Sequence, residues 1–406
     1  MLEQIINWFP EWARPFIMPM LTIVIVLQVN LGVCSYLILL ERKLSAWMQD
    51  RIGPNRVGPW GLLQPLADML KLLMKEDVIP GHVNKFLYVL APGISVFTTM
   101  LAFAVVPFGP VPSNLSATDG QFPYIIAPGI DLGMVFIFAV GSLAVYGIIL
   151  GGWASNNKYS ALGAMRASAQ VVSYEIPLGM SVVGLALLTG SMSIEKILLH
   201  QANAGIWGWN IWFQPLACVI FFAAAMAEAQ RLPFDLSECE QELVGGWHTE
   251  YSGMKWALFF LGEYTHVITI SFLTSILFFG GWHFPGIAES GSNYLGATLV
   301  KMLVLMTKSF AFIVVIQMLR WTIPRFRFDQ LMGLAWKVLI PLATLNVVCV
   351  MIVKQFHLNV WWLLPMSALL CLGAGLIGTQ AKRPFLRRAT PPVDKPHGHH
   401  APAHAH

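Results

Sequence analysis

Long apolar runs separated by short polar stretches set the pattern of this chain. A helix crossing the hydrocarbon layer needs about 20 mostly apolar residues. Such runs fall near 16–40, 86–109, 132–153, 169–190 and 212–229, then near 256–280, 297–319, 338–356 and 360–379. The pattern predicts an all-α, polytopic integral membrane protein with about nine transmembrane helices. Two polar segments, 41–85 and 230–255, are much longer than turns and are expected to be structured loops on one side of the membrane. Residues 1–380 are expected to form one transmembrane domain, with 381–406 a disordered tail. The first run has no basic segment before it and no small-residue cleavage site, so it is expected to be retained.

Composition sharpens this picture. Of 406 residues 56% are hydrophobic and only 11% charged, against about 25% charged in soluble domains. A cytosolic enzyme and a disordered chain are both excluded. Of the 25 Lys and Arg residues, 20 fall on the side that carries the two long loops; Arg14, Lys196 and Lys354 fall on the other. The positive-inside rule then places the N-terminus outside and the loops and C-terminus in the cytoplasm. The net charge of +4 reports topology rather than nucleic-acid binding. The five cysteines are scattered without a CxxC pair, so no metal or redox-centre ligand set is expected. Five histidines lie in the last ten residues, where a solvated low-complexity tail is the expected reading.

The first loop contains IGPNRVGP, which predicts tight turns. After it, Gln64, Asp68, Lys71 and Lys75 fall at i, i+4, i+7 and i+11, with Leu and Met between them. That is a short amphipathic helix at the membrane surface. Anchoring alone does not require the paired charges before it, Glu41, Arg42, Asp50, Arg51 and Arg56. In the second loop and at its edge, Glu228, Asp235, Glu238, Glu240, Glu242 and Glu250 stand near only Arg231 and Lys255. Mutual repulsion predicts a coupled set of carboxylates with raised pKa values. Phe234, Trp247 and other interleaved apolar residues predict that this loop is packed.

Glu175, Glu228 and Glu263 lie within or at the edge of apolar runs, and Lys308 lies mid-run with Lys301 one heptad before it. Charges at such depths are costly and commonly mark ion pathways; structural ion pairs are the alternative. Glu175 and Glu263 are expected a turn or two in from the loop side, at a depth similar to Glu228.

Four segments carry a family resemblance: ERKLSAWMQDRIGPNRVGPWGLLQPLADMLKLLMKE, GWASNNKYSALGAMRASAQVVSYEIPL, AEAQRLPFDLSECEQELVGGWHTEYSGMKWALFFLGEY and RWTIPRFRFDQLMGLAWKVLIPL. Together, in this order over about residues 41–342, they resemble the H subunit of NADH–quinone oxidoreductase, called subunit 1 in mitochondrial respiratory complex I. The segment AEAQRLPFD departs from the frequent form AETNRxPFD but keeps its charged ends, Glu228 and Arg231. The resemblance implies a membrane subunit of a proton-translocating enzyme in the bacterial cytoplasmic (inner) membrane. It implies a tunnel for quinone, ubiquinone or menaquinone, with Arg42, Asp68, Lys71, Arg51, Arg56 and Phe234 among its residues. It also implies a proton route through Glu175, Glu228, Glu238, Glu240, Glu242 and Glu263, to which Lys308 is joined. No cofactor is expected on this chain; NADH, FMN and iron–sulfur clusters would belong to partner subunits, which include hydrophilic quinone-site subunits and antiporter-like membrane subunits. Two rivals remain at this point: the related membrane subunit of hydrogenase-type complexes, which uses no quinone, and a stand-alone transporter.

Overall fold

The structure is a computed structural model that describes residues 14–110, 125–237, 240–288 and 295–381. Its helices are α1 (Arg14–Met48), α2 (Gln64–Met74), α3 (Lys85–Leu101), α4 (Gly133–Ala154), α5 (Lys158–Thr189), α6 (Ile194–Ala204) and the single turn α7 (Asn210–Phe213). They continue with α8 (Pro215–Glu228), the short α9 (Glu240–Leu243), α10 (Gly253–Phe278), α11 (Leu295–Thr322), α12 (Phe328–Leu334), α13 (Ile340–Gln355) and α14 (Leu363–Ala381). Among the described residues there is no sheet, only one isolated bridge between Phe284 and Ala288. Among the described residues seven helices are long and apolar enough to cross a membrane, and two shorter apolar ones, Pro215–Glu228 and Val360–Leu376, occupy the other two predicted positions. The C-terminal tail predicted from 381 lies, from 382 on, outside the described residues.

The sequence boundaries shift in three informative places. α1 runs to Met48, so Glu41 and Arg42 are helical and the first loop starts at 49 rather than 41. α5 starts at Lys158, eleven residues before the apolar run. Its first turns are too polar to be read as a span, yet they pack tightly: a Cβ on Gly163 would stand 2.6 Å from the Trp247 amide nitrogen. The Asn157 side chain caps this start by accepting from the Tyr159 amide at 3.0 Å. Glu175 therefore lies roughly five turns into its helix, not one or two. The third shift is α8, which at 14 residues is only about 21 Å long. Its Pro215 opens the helix where a proline costs no hydrogen bond.

α10 is the helix around which the others gather, touching α1, α2, α3, α8 and α11. It is buried although it carries many hydroxyls, because they are satisfied within the helix. Thr265, Thr269, Ser271, Thr274 and Ser275 each donate to the carbonyl four residues back. A polar side chain surrounded by apolar neighbours is tolerated under that condition. α12 and α13 are joined by a π-helical stretch, Ala335–Leu339, and form one span of 28 residues.

Candidate functional site

Three chambers meet along α10 at the end of the bundle that carries the long loops. The first is apolar, with a volume of about 210 Å³, and lies between α1, α2 and α10. Its walls include Cys34, Ile38, Met69, Trp256, Phe260 and Tyr264, and its polar groups are Arg42, Gln64 and Asp68 with Ser35. α2 forms as its spacing predicts, but none of its residues is buried. Arg42 pairs with Asp68 at 2.6 Å, and the Gln64 amide donates to the other Asp68 oxygen at 3.0 Å. An apolar cavity with a few fixed polar groups is the ordinary form of a site for a small molecule.

The second chamber, about 160 Å³, is densely charged and is lined by Glu41, Arg231, Asp235, Glu263, Tyr264 and Arg320, among others. The Tyr264 hydroxyl donates to Glu41 at 2.5 Å, and Arg320 pairs with the other oxygen of the same carboxylate. Arg231 stands 3.7 Å from both Glu41 and Glu263, with its guanidinium 4.1 Å from the centre of the Tyr264 ring. Asp235, in the loop after α8, is 3.5 Å from Arg325. Burial pushes its carboxyl up to about 7; Glu263 adds to the rise, and Arg325 and Arg231 oppose it.

The third chamber is small and lies between α3, α4, α8 and α10, lined by Ser95, Thr99, Gly141, Glu228, Gln230, Glu263 and His266, among others. Glu228 is 3.4 Å from the His266 ring nitrogen Nε2. α4 comes so close that a Cβ on Gly141 would stand 3.1 Å from a Glu228 oxygen. The next residue, Ser142, donates to Glu175.

The chambers share walls. Phe260 and Tyr264 line both the first and the second; Gln230 and Glu263 line both the second and the third. Adjacent residues of α4, Gly141 and Ser142, then touch Glu228 and Glu175. The arrangement is a row: apolar pocket, cationic and anionic cluster, paired Glu228 and His266, and finally Glu175.

The structure thus gathers Arg42, Asp68, Glu263, Glu228 and Glu175 of the residues singled out in the sequence. Lys71 and Arg56 are exposed on the surface, and Arg51 donates to Gln49 there; none of the three lines the apolar chamber. Phe234 is a core residue, stacked on Phe326 at 5.6 Å, its carbonyl accepting from Gln170. Of the described loop carboxylates, Asp235 shows the expected rise, with Glu263 adding to it, whereas Glu242 and Glu250 each have a partner of their own. Glu242 is paired with Arg166 at 2.7 Å on the surface, and Glu250 accepts from Asn157 at 2.6 Å. Glu238 and the side chain of Glu240 lie outside the described residues. Lys308 is set apart from all the carboxylates of the row, at the opposite end of α10. Glu41, Tyr264, Arg320 and His266 complete the row. Glu41 was legible as the first of the paired charges before α2, whereas Arg320 showed only as a charged end of a span on the same side of the membrane.

Fold and site define a multi-pass membrane protein with a string of half-buried carboxylates leading away from an apolar pocket. The family model described as NADH dehydrogenase matches residues 20–351. The chain is 46% identical to a first form of the NADH-quinone oxidoreductase H subunit in Cytophaga hutchinsonii, over 80% of this chain and 92% of that protein. It is 44% identical to the H subunit of Flavobacterium psychrophilum, over 82% and 96%, and 46% identical to that of Protochlamydia amoebophila, over 77% and 90%. The chain belongs to the H-subunit family of NADH-quinone oxidoreductase, a membrane component of an oxidoreductase complex.

Proposed function

We propose that this chain forms the membrane-side passage for a quinone and converts quinone reduction at its inner end into proton movement along the carboxylate row. The observation that carries this reading is the sharing of walls: Phe260 and Tyr264 separate the apolar chamber from the charged one, and Glu263 and Gln230 separate that from the Glu228 chamber. A quinone has an apolar tail and a polar, redox-active head, which suits a chamber that is hydrocarbon-like along its length and carries Arg42 and Asp68 at its polar part.

Reduction of a quinone to a quinol takes up electrons and protons in equal number. The electrons would come from redox groups on partner subunits: NADH and FMN sites and iron–sulfur clusters. Charge that appears transiently in a low-dielectric passage acts strongly on neighbours, because Coulomb energies there greatly exceed those in water. Glu41, held by Tyr264, Arg320 and Arg231, is the first carboxylate behind the chamber wall. A change in charge there alters the field at Arg231, which is shared with Glu263, and Glu263 faces the Glu228 chamber. Asp235, with a carboxyl pushed up to about 7, is able to take or give a proton near neutral pH. Glu175 would pass the change on towards antiporter-like partner subunits. In this reading the loops face the cytoplasm of a bacterium and the N-terminus faces out.

The test uses the assembled complex in native membranes with a photoreactive quinone analogue. Cross-links are expected on α1, α2 or α10 around Ile38, Met69 and Trp256, competed away by quinone. Labelling confined to partner subunits, with none on this chain, would overturn the passage.

A further inference from the structure

The far end of α10 is closed by side chains of other helices. Gln201 of α6 donates to the carbonyls of Ile276 at 2.9 Å and Leu277 at 3.1 Å, and Asn210 of α7 donates to Leu277 at 2.7 Å. Beyond them, the ammonium of Lys308, from mid-α11, donates to the carbonyls of Phe279, Gly281 and His283 at 2.7, 2.9 and 2.8 Å. It also sits 4.4 Å from the centre of the Trp209 ring. Three carbonyls use the three N–H donors of an ammonium completely, and the indole face stabilises the charge that remains. Among the described residues, no carboxylate pairs with Lys308. The surroundings are tightly packed: Phe278 and Trp282 are buried, and a Cβ on Gly280 would stand 2.3 Å from the Trp209 indole nitrogen.

α10 therefore separates two kinds of charge. Glu263 lies nearly three turns into it and His266 at its midpoint, and the Lys308 ammonium lies just past its end, about 24 Å beyond Glu263 and about 20 Å beyond His266 along the axis. A ring of three carbonyls converging on one point is also the kind of ligand set that a sodium ion or a hydrated proton uses. We infer that Lys308 is a fixed, tethered cation that occupies this ring and bars cations from the far face, so that protons gathered by the carboxylates do not leak across this chain. The carbonyl dipoles hold the charge in place, and its field repels any second cation before it can reach them.

Passive proton permeability of the assembled complex in liposomes, read with an enclosed pH dye after an acid pulse and without NADH, tests this directly. No turnover is involved, so the result is independent of whether the carboxylate row couples to quinone. Lys308→Met removes charge and donors, and Lys308→Gln removes the charge but keeps an amide that can donate to one carbonyl. Each is expected to raise the leak about tenfold. Asn210→Leu loosens the same end but leaves the charge, and is expected to leak like the wild type. Wild-type permeability in whichever Lys308 variant assembles overturns the inference, as does an equal leak from Asn210→Leu, which would make packing rather than charge the barrier.

Discussion

Tyr264 on α10 donates its phenol proton to Glu41 on α1 at 2.5 Å, across 223 residues of sequence. That bond is part of the wall between the apolar and the charged chambers, since Tyr264 lines both. Tyr264→Phe keeps the ring, so its contacts with Arg231 and Phe260 remain and the wall stands. Glu41 keeps Arg320 and Arg231 but loses a charge-assisted hydrogen bond, a loss of about 2 kcal/mol at most. The variant is expected to assemble and to reduce quinone about tenfold more slowly, with less change in KM than in kcat. An unchanged kcat would show that the wall carries no signal.

Gly141 gives a sharper steric test. A methyl at this position would approach the Glu228 oxygen to 3.1 Å, closer than a carbon and an oxygen comfortably sit. Glu228 would have to move from His266 or α4 would have to shift. Gly141→Ala is therefore expected to lower the number of protons moved per electron by about half while quinone reduction persists. Simultaneous oxidase and acidification traces from inverted vesicles measure this ratio. A normal ratio would place proton movement elsewhere.

These groups were unequally legible in the sequence. Glu175, Glu228 and Glu263 stood out because charge inside an apolar run is costly, and the amphipathic spacing from Gln64 to Lys75 gave α2 directly. The cluster around Glu41 did not stand out, because its partners Tyr264, Arg231 and Arg320 come from three other segments and only tertiary packing assembles them. The depth of Glu175 was misread for a related reason: hydropathy cannot register that α5 begins with a polar stretch held against the Gly246–Trp247 turn. Lys308 looked like a member of the carboxylate system because apolar runs give no depth marker, and only the chain reversal after Phe278 sets it at the other end.

Arg42 and Asp68 form a pair 2.6 Å apart whose side chains are 48% and 27% exposed. Such pairs contribute little to stability, roughly 0–1 kcal/mol, so Arg42→Ala is expected to leave assembly intact. If the pair positions the quinone head during its passage, KM for a short-chain quinone should rise about tenfold, the scale of one lost charge-assisted contact. Arg42→Lys should restore only part of the affinity, because an ammonium lacks the planar fork. Steady-state kinetics across quinone concentrations decide it, and an unchanged KM in Arg42→Ala would remove the pair from the substrate's path.

Asp235 supplies the pH prediction. Its carboxyl ordinarily titrates near 3.8 and is pushed up to about 7 by burial and by Glu263. A raised folded value means that the folded protein holds this proton more tightly than the unfolded chain does. The stabilisation is complete below the ordinary value and is lost as the pH climbs through about 7. The assembled complex should therefore inactivate thermally more slowly at about pH 5 than at about pH 8. Asp235→Asn, which mimics the protonated state at every pH, should flatten that dependence and be at least as stable as the wild type on the alkaline side. In the same variant proton translocation should fall if Asp235 exchanges protons during turnover, whereas a purely structural role leaves translocation intact. Thermal inactivation and acidification measured on one preparation separate the two roles. A pH slope in Asp235→Asn equal to that of the wild type would assign the titration to another group.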